Sequence, residues 1–246
     1  MPDAARREAV GSMPEYSIDL HNHMPVPDAD YRGPLHTSGE EVVSAAIAAG
    51  LDVLGVSDHF SLGFFRTAHE AAHGTSLLVL PGAEVRLAHA RDEAHLVALF
   101  SPEHAEERFD DFMACIGFTE EARTDRLHHV VIECDPVAAA RCVAGLGGIC
   151  VVAHVDRRFG DYRLLGRPLL RRLVDEVPGI VLEFLDPDNV AELGDVPQGL
   201  TVVQSSDSHC LAEMGRRRST VHAHELTFDA IRQALRPGLR EEAPAL

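Results

Sequence analysis

The chain has 246 residues, 46% of them hydrophobic, enough for one α/β domain with a sizeable core. Its 39 acidic residues against 22 basic ones leave a formal net charge of −17, which argues against extended nucleic-acid binding and against an anionic membrane surface. All 22 bases are arginine, so Schiff-base chemistry, a Walker lysine and a carbamylated lysine ligand are excluded.

The opening stretch, MPDAARREAVGS, carries charges but no apolar signal-peptide core. No apolar run approaches the length of a membrane span. The expectation is a cytoplasmic protein with a flexible tail at 1–14, one barrel domain at 15–237 and a C-terminal tail at 238–246. The first β-rich run, Tyr16–Leu20, leads into Asp19-Leu20-His21-Asn22-His23. Side chains two apart on an extended chain share a face, so His21 and His23 aim at one point. A helix follows, with Ser38 as N-cap and Glu41 at the capping-box position, closing at Gly50. The next strand, Val53–Val56, ends in Ser57-Asp58-His59. Another, Leu77–Leu80, runs into Pro81-Gly82-Ala83-Glu84. A fourth, His95–Leu99, opens with a histidine. A helix begins at Asp135-Pro136 and ends around Gly145–Gly148. Then Ile149–Val152 ends in Ala153-His154. A helix from about Gly166 to Val177, a strand at Ile180–Glu183 and a strand at Leu200–Gln204 lead to Ser205-Ser206-Asp207-Ser208-His209. Thr220–His222 and a helix after Thr227 complete the pattern.

Strands alternating with helices imply βαβ units and a mostly parallel sheet. Seven or eight units in this length predict a barrel, and no G-x-G-x-x-G supports a dinucleotide site. In such a barrel the carboxyl ends of the strands share one face. His21, His23, His59, His154 and His209 should therefore meet Glu84 and Asp207 there, with His95 joining from a strand start or bulge. Converging His, Asp and Glu without thiolate suit Zn, Mn or Fe, and the ligands exceed one ion's need, so two to three divalent ions are expected. His69, His73, His89, His104, His128, His129, His222 and His224 are read as surface or core residues. The five cysteines, Cys115, Cys134, Cys142, Cys150 and Cys210, form no C-x-x-C pair and are read as free thiols of a reducing compartment.

The ordered set D-L-H-x-H, S-D-H, G-x-E, a further His, A-H and S-D-x-H, spanning about Ser17 to Arg236, resembles the PHP (polymerase and histidinol phosphatase) superfamily. The resemblance implies an α/β fold, a distorted (β/α)7 barrel, with a trinuclear metal centre. It implies one ion on His21, His23 and Asp207, with Glu84 bridging to a second on His95 and His154. The third would take His59 and His209 with an aspartate at the position of Asp28. This chain departs from the family around that point, and Asp30 or His36 are the alternatives for the third site. The stretch from Leu99 to Ile149 is short for a separate cap domain.

The chemistry these residues permit is hydrolysis. Two ions ~3.5–4 Å apart can hold a hydroxide near neutral pH and polarise a phosphoryl oxygen. The reading is a phosphoesterase, phosphatase or phosphodiesterase, acting on a small phosphorylated substrate. An anion clamp is expected at Arg157, three residues past His154, with Arg158, Arg66 and Arg163 as reserves. Asp58 would orient a ligand, and Glu183 would be an outer acid or a structural residue. Two alternatives remain: an amidohydrolase-like TIM barrel, which also begins with H-x-H, and a PHP module that binds metal without catalysis.

Overall fold

The computed structural model of the protein describes residues 13–26, 30–89, 92–122, 126–157, 162–186, 188–190 and 200–236. The expected tails therefore fall almost wholly outside the described residues. Short apolar runs form the strands β1 (Glu15–Asp19), β2 (Val53–Val56), β3 (Leu78–His89), β4 (Asp92–Leu99), β5 (Ile149–Val152), β6 (Val181–Glu183), β7 (Thr201–Val203) and β8 (Ser219–His222). They join in one sheet in the order β7-β6-β5-β4-β3-β2-β1-β8. Every residue of β2, β5 and β6 is buried, as expected of strands covered on both faces.

The sheet is rolled into a distorted barrel. Ile18, Val53, Leu80, Val97, Val151, Val181, Val203 and Val221, one from each strand, belong to a single buried cluster, which is the barrel interior. Phe228 and Ile231 pack into the same cluster. The loops after β1 and β7 also meet: Asn22 and Ser208 form a parallel bridge, and the His23 N–H donates to the Ser208 carbonyl at 2.8 Å.

Among the described residues, six α-helices accompany the strands: α1 (Gly39–Ala48), α2 (Phe65–Ala71), α3 (Ala105–Ile116), α4 (Pro136–Gly145), α5 (Tyr162–Glu176) and α6 (Phe228–Ala234). The Ser38–Glu41 capping box forms as expected, and Gly50 follows at φ 74°. Asp135 and Thr227 cap α4 and α6. Helices α2 and α3 carry no such signal, since neither has a side-chain cap at its N-terminus. Their apolar residues decide instead: Phe65 and Ala68 bury in one cluster with Leu54, Val56 and Val79, and Phe109, Phe112 and Met113 in another with Val85, Leu87 and Leu96. No helix of the described residues is long and apolar enough to cross a membrane.

The sheet is mostly parallel, as expected: β1 with β2, β2 with β3, β5 with β6 and β6 with β7 pair parallel, while β4 pairs antiparallel with both β3 and β5, and β8 with β1. Two expectations need correction. First, β3 does not stop at Leu80. Pro81-Gly82 reads as a breaker, but Gly82 lies against the Ala98 carbonyl where a Cβ would collide, so the strand continues and pairs with β4 from Gly82 to His89. Second, the cysteines are not all free thiols. Cys115 on α3 and Cys142 on α4 form a disulfide, while Cys134, Cys150 and Cys210 are free. Helix packing brings the pair together across 27 residues, a distance at which spacing carries no signal.

Candidate metal centre

The antiparallel β4 explains how His95 arrives. The start of a strand running backwards lies at the same end as the carboxyl ends of its neighbours. His95, opposite Arg86 on β3, therefore joins residues that follow β1, β2, β5 and β7. His21 and His23 stand just past β1, both buried. Buried polar groups tie this segment to the one after β7. The Asn22 side-chain oxygen accepts from the hydroxyls of Ser206 (3.1 Å) and Ser208 (2.7 Å). Asp19 accepts from the Ser206 N–H at 3.0 Å, its hydroxyl at 2.6 Å and the Gly215 N–H at 2.9 Å. Asp207 and His209 are thereby held against the two histidines. His154 (φ 32°) and Asp207 (φ 49°) adopt left-handed backbone, a strained conformation that persists where surrounding contacts over-determine it.

Glu84 is the hub. Its Oε2 lies 3.5 Å from His21 Nε2, 3.3 Å from His23 Nε2 and 3.4 Å from His59 Nδ1. Its Oε1 lies 2.7 Å from His95 Nδ1 and 3.3 Å from His154 Nε2. Asp207 Oδ1 approaches the same His21 and His23 nitrogens at 3.5 and 3.4 Å. On the far side, Asp30 Oδ2 meets His209 Nε2 at 2.8 Å, while its Oδ1 lies 3.8 Å from His59 Nε2 and 3.9 Å from His23 Nδ1. Three groups therefore have donor atoms mutually close enough to share an ion: His21, His23 and Asp207; His23, Asp30 and His59; and Glu84, His95 and His154.

The donors fit a divalent metal. Nitrogen and carboxylate oxygen ligands without thiolate suit Zn, Mn or Fe. His21 Nε2, both ring nitrogens of His23, His59 Nδ1 and Asp30 Oδ1 are buried without a hydrogen-bond partner of good geometry. Buried polar atoms are ordinarily satisfied, so several orphans aimed at one point call for an ion. Charge agrees. Burial opposes a charge on Glu84, but the imidazoliums of His21 and His95 outweigh it and hold its carboxyl well below the usual range. Burial likewise opposes protonation of His23, yet Asp207 and Glu84 prevail and push it up to about 10. This surplus of negative charge attracts cations. Burial pushes His59 down to about 3, which leaves a neutral imidazole with a lone pair to offer.

Outer residues fix the inner ones. Both oxygens of Glu183 lie 3.2 Å from His21 Nδ1, and its Oε1 accepts the His154 N–H at 2.9 Å. Asp58 accepts the Met24 N–H at 2.7 Å, and burial pushes its carboxyl up to about 6. On the β3–β4 hairpin, Arg86 grips Glu93 through two nitrogens, and Glu93 reaches His95 Nε2 at 3.1 Å.

Of the residues singled out in the sequence, the structure gathers His21, His23, His59, Glu84, His95, His154, Asp207 and His209. Asp28 lies outside the described residues, and Asp30 stands beside His59 and His209. His36 is exposed and outside the cluster. Arg157 lines the cleft, with Nη1 3.7 Å from Asp207 Oδ2. Arg66 does not: it is exposed on α2 and paired with Glu106. Arg158 and the side chain of Arg163 lie outside the described residues.

The open cleft over the donors measures about 290 Å³ and is also lined by Arg86, His128 and His129. His128 and His129, read as surface or core residues, lie at the rim of this cleft, His129 exposed and His128 half-buried. They sit on a 3₁₀ turn, Leu127–His129, that fills no strand-end slot, so periodicity had no hold on them.

No protein-family model and no curated protein matches the chain. Solved structures do resemble it. The lesion-specific endonuclease PfuEndoQ of Pyrococcus furiosus matches with a TM-score of 0.69 over 92% of this chain at 16% identity. The chain spans just over half, 56%, of that protein's length. A two-domain protein of Bacteroides vulgatus containing a predicted PHP-like metal-dependent phosphoesterase matches at 0.54, with 16% identity, over 95% of this chain and 67% of the other. An amidohydrolase of Chromobacterium violaceum, with bound sulfate and no metal, matches at 0.55, with 20% identity, over 82% and 90%. At these identities the likeness is one of fold, and the barrel that the motifs led us to expect is the barrel these proteins share.

Proposed function

We propose that this chain is a PHP-type metal-dependent hydrolase that cleaves phosphate esters at a centre of two to three divalent ions, Zn, Mn or Fe. The observation that carries the reading is Glu84, whose two oxygens face two separate histidine groups as a bridging carboxylate requires. His21, His23 and Asp207 would hold one ion, and His95 and His154 a second, with Glu84 shared. His59 and His209 would hold a third, with Asp30 in the place first expected for Asp28. When bound, such ions supply Lewis-acid charge and water activated near neutral pH. The protein's own residues do the rest. Glu183 keeps the Nε2 face of His21 turned inward, Asp58 anchors the Met24 backbone beside His23, and Arg157 meets the substrate's anion. The substrate is a small phosphorylated compound.

Elemental analysis of the purified chain with turnover of p-nitrophenyl phosphate tests the proposal. Two to three ions per chain and metal-dependent turnover are expected. Less than one ion after supplementation overturns it. Full metal without turnover of any phosphate ester in a metabolite panel favours the amidohydrolase-like or non-catalytic reading.

Arg157 supplies an independent check. Its guanidinium offers a two-pronged anion contact at the cleft, and in a lysine-free chain every permanently charged cationic side chain is an arginine. Arg157→Ala should lower kcat/KM by about 2–4 kcal/mol, the scale of losing an anion-stabilising donor. Metal content should stay at the wild-type value. Unchanged kinetics would remove Arg157 from the substrate's path.

A further inference from the structure

A second pocket, of about 170 Å³, opens beside the metal cleft and shares Arg157 and Asp207 with it. Arg32, Arg216 and Arg217 also line it, so four arginines border one pocket in a chain whose net charge is −17. Only two carboxylates, Asp207 and Glu213, stand among them. Asp207 faces the histidine cluster, and Glu213 is engaged twice, by Arg32 at 2.9 Å and by the His209 N–H at 3.0 Å. Arg216 and Arg217 have no ion-pair partner among the described residues. The pocket is also built onto the centre: the Arg32 N–H donates to the His209 carbonyl at 2.7 Å, and the Arg216 N–H to the Glu213 carbonyl at 3.1 Å. A concave, cationic wall continuous with a metal cleft suits a doubly charged oxyanion, for which guanidinium gives two-pronged contacts.

We infer that this pocket binds a second phosphate of the substrate, so that the preferred substrate carries two phosphates: one over the metal donors, the other against Arg32, Arg216 and Arg217, with Arg157 between them. The inference rests on the phosphate-ester reading above. A small bisphosphate and a phosphorylated strand end share this chemistry, and the experiment separates them.

The test compares kcat/KM for a sugar bisphosphate, its monophosphate and a short 5′-phosphorylated oligonucleotide, in the wild type and in the Arg216→Ala/Arg217→Ala variant. The wild type should prefer one substrate with two phosphates over the monophosphate by at least about tenfold, and the variant should lose most of that ratio. The preferred compound identifies the source. A wild-type ratio near one, or a ratio unmoved in the variant, overturns the subsite. Calorimetric binding of the sugar bisphosphate and the oligonucleotide to the full chain reads the subsite without turnover. If no phosphate ester is hydrolysed but binding weakens about tenfold in the variant, the hydrolase reading fails and the subsite stands. If neither compound binds, the subsite fails whatever the metal centre does.

Discussion

Glu84→Ala should abolish activity and strip the centre at once. Turnover should fall by at least about 10³-fold, beyond the 10–100-fold typical of losing an outer partner of a ligand. The reason is geometric. One oxygen of Glu84 serves His21, His23 and His59, and the other serves His95 and His154, so truncation removes a donor from both groups. It also leaves five imidazoles crowded together without the carboxylate that compensates them. Metal content should drop by more than one ion per chain. Asp30→Ala removes a carboxylate from the outer group alone, beside His59 and His209 with His23 at its edge, and should lower metal content by one ion at most. Paired metal analyses and kinetics decide the matter. If Glu84→Ala keeps its metal while Asp30→Ala loses all of it, the assignment of the bridge is wrong.

The site was legible in the sequence because strand ends are. A short apolar run followed at once by His, Asp or Glu says both where the residue sits and what it offers. Repetition of that signal along the chain placed His21, His59, His154 and Asp207 together before any fold was known. His95 needed the direction of β4, which alternation alone does not encode, since a strand reads alike in either sense. Glu84 is legible as a strand-end ligand, but its place inside a continuing β3 is not, because Pro81-Gly82 signals a break that the pairing with β4 overrides. Asp30 was ambiguous because Asp28, Asp30 and His36 all follow H-x-H in a stretch of sequence with no period to rank them. His128, His129 and the arginine pocket escaped for the same reason. They are set by where surface turns settle against the barrel, a matter of tertiary packing with no local rule.

Glu183 should separate structural from chemical support of the centre. It is fully buried, accepts the His154 N–H at 2.9 Å and faces His21 Nδ1 through both oxygens. Accepting from Nδ1–H leaves the lone pair of His21 on Nε2, the nitrogen that points at Glu84 and Asp207. Glu183→Ala leaves the His154 N–H and His21 Nδ1–H unpaired in a dry site. At about 1–3 kcal/mol for each of the two orphaned groups, Tm should drop by roughly 4–24 °C, and metal should be lost as well. Glu183→Gln behaves differently. Its carbonyl oxygen can still accept from His154, so the fold should hold and Tm should move by no more than about 3 °C. Its NH₂ then turns toward Nδ1 and donates, which forces the imidazole proton onto Nε2 and blocks the lone pair that faces inward. Metal affinity should fall about 10–100-fold in a protein of nearly wild-type stability. Calorimetric unfolding alongside metal titration of the two variants checks this. A glutamine variant that binds metal as the wild type does would reduce Glu183 to a packing residue, and the orientation of His21 would then have to come from its backbone alone.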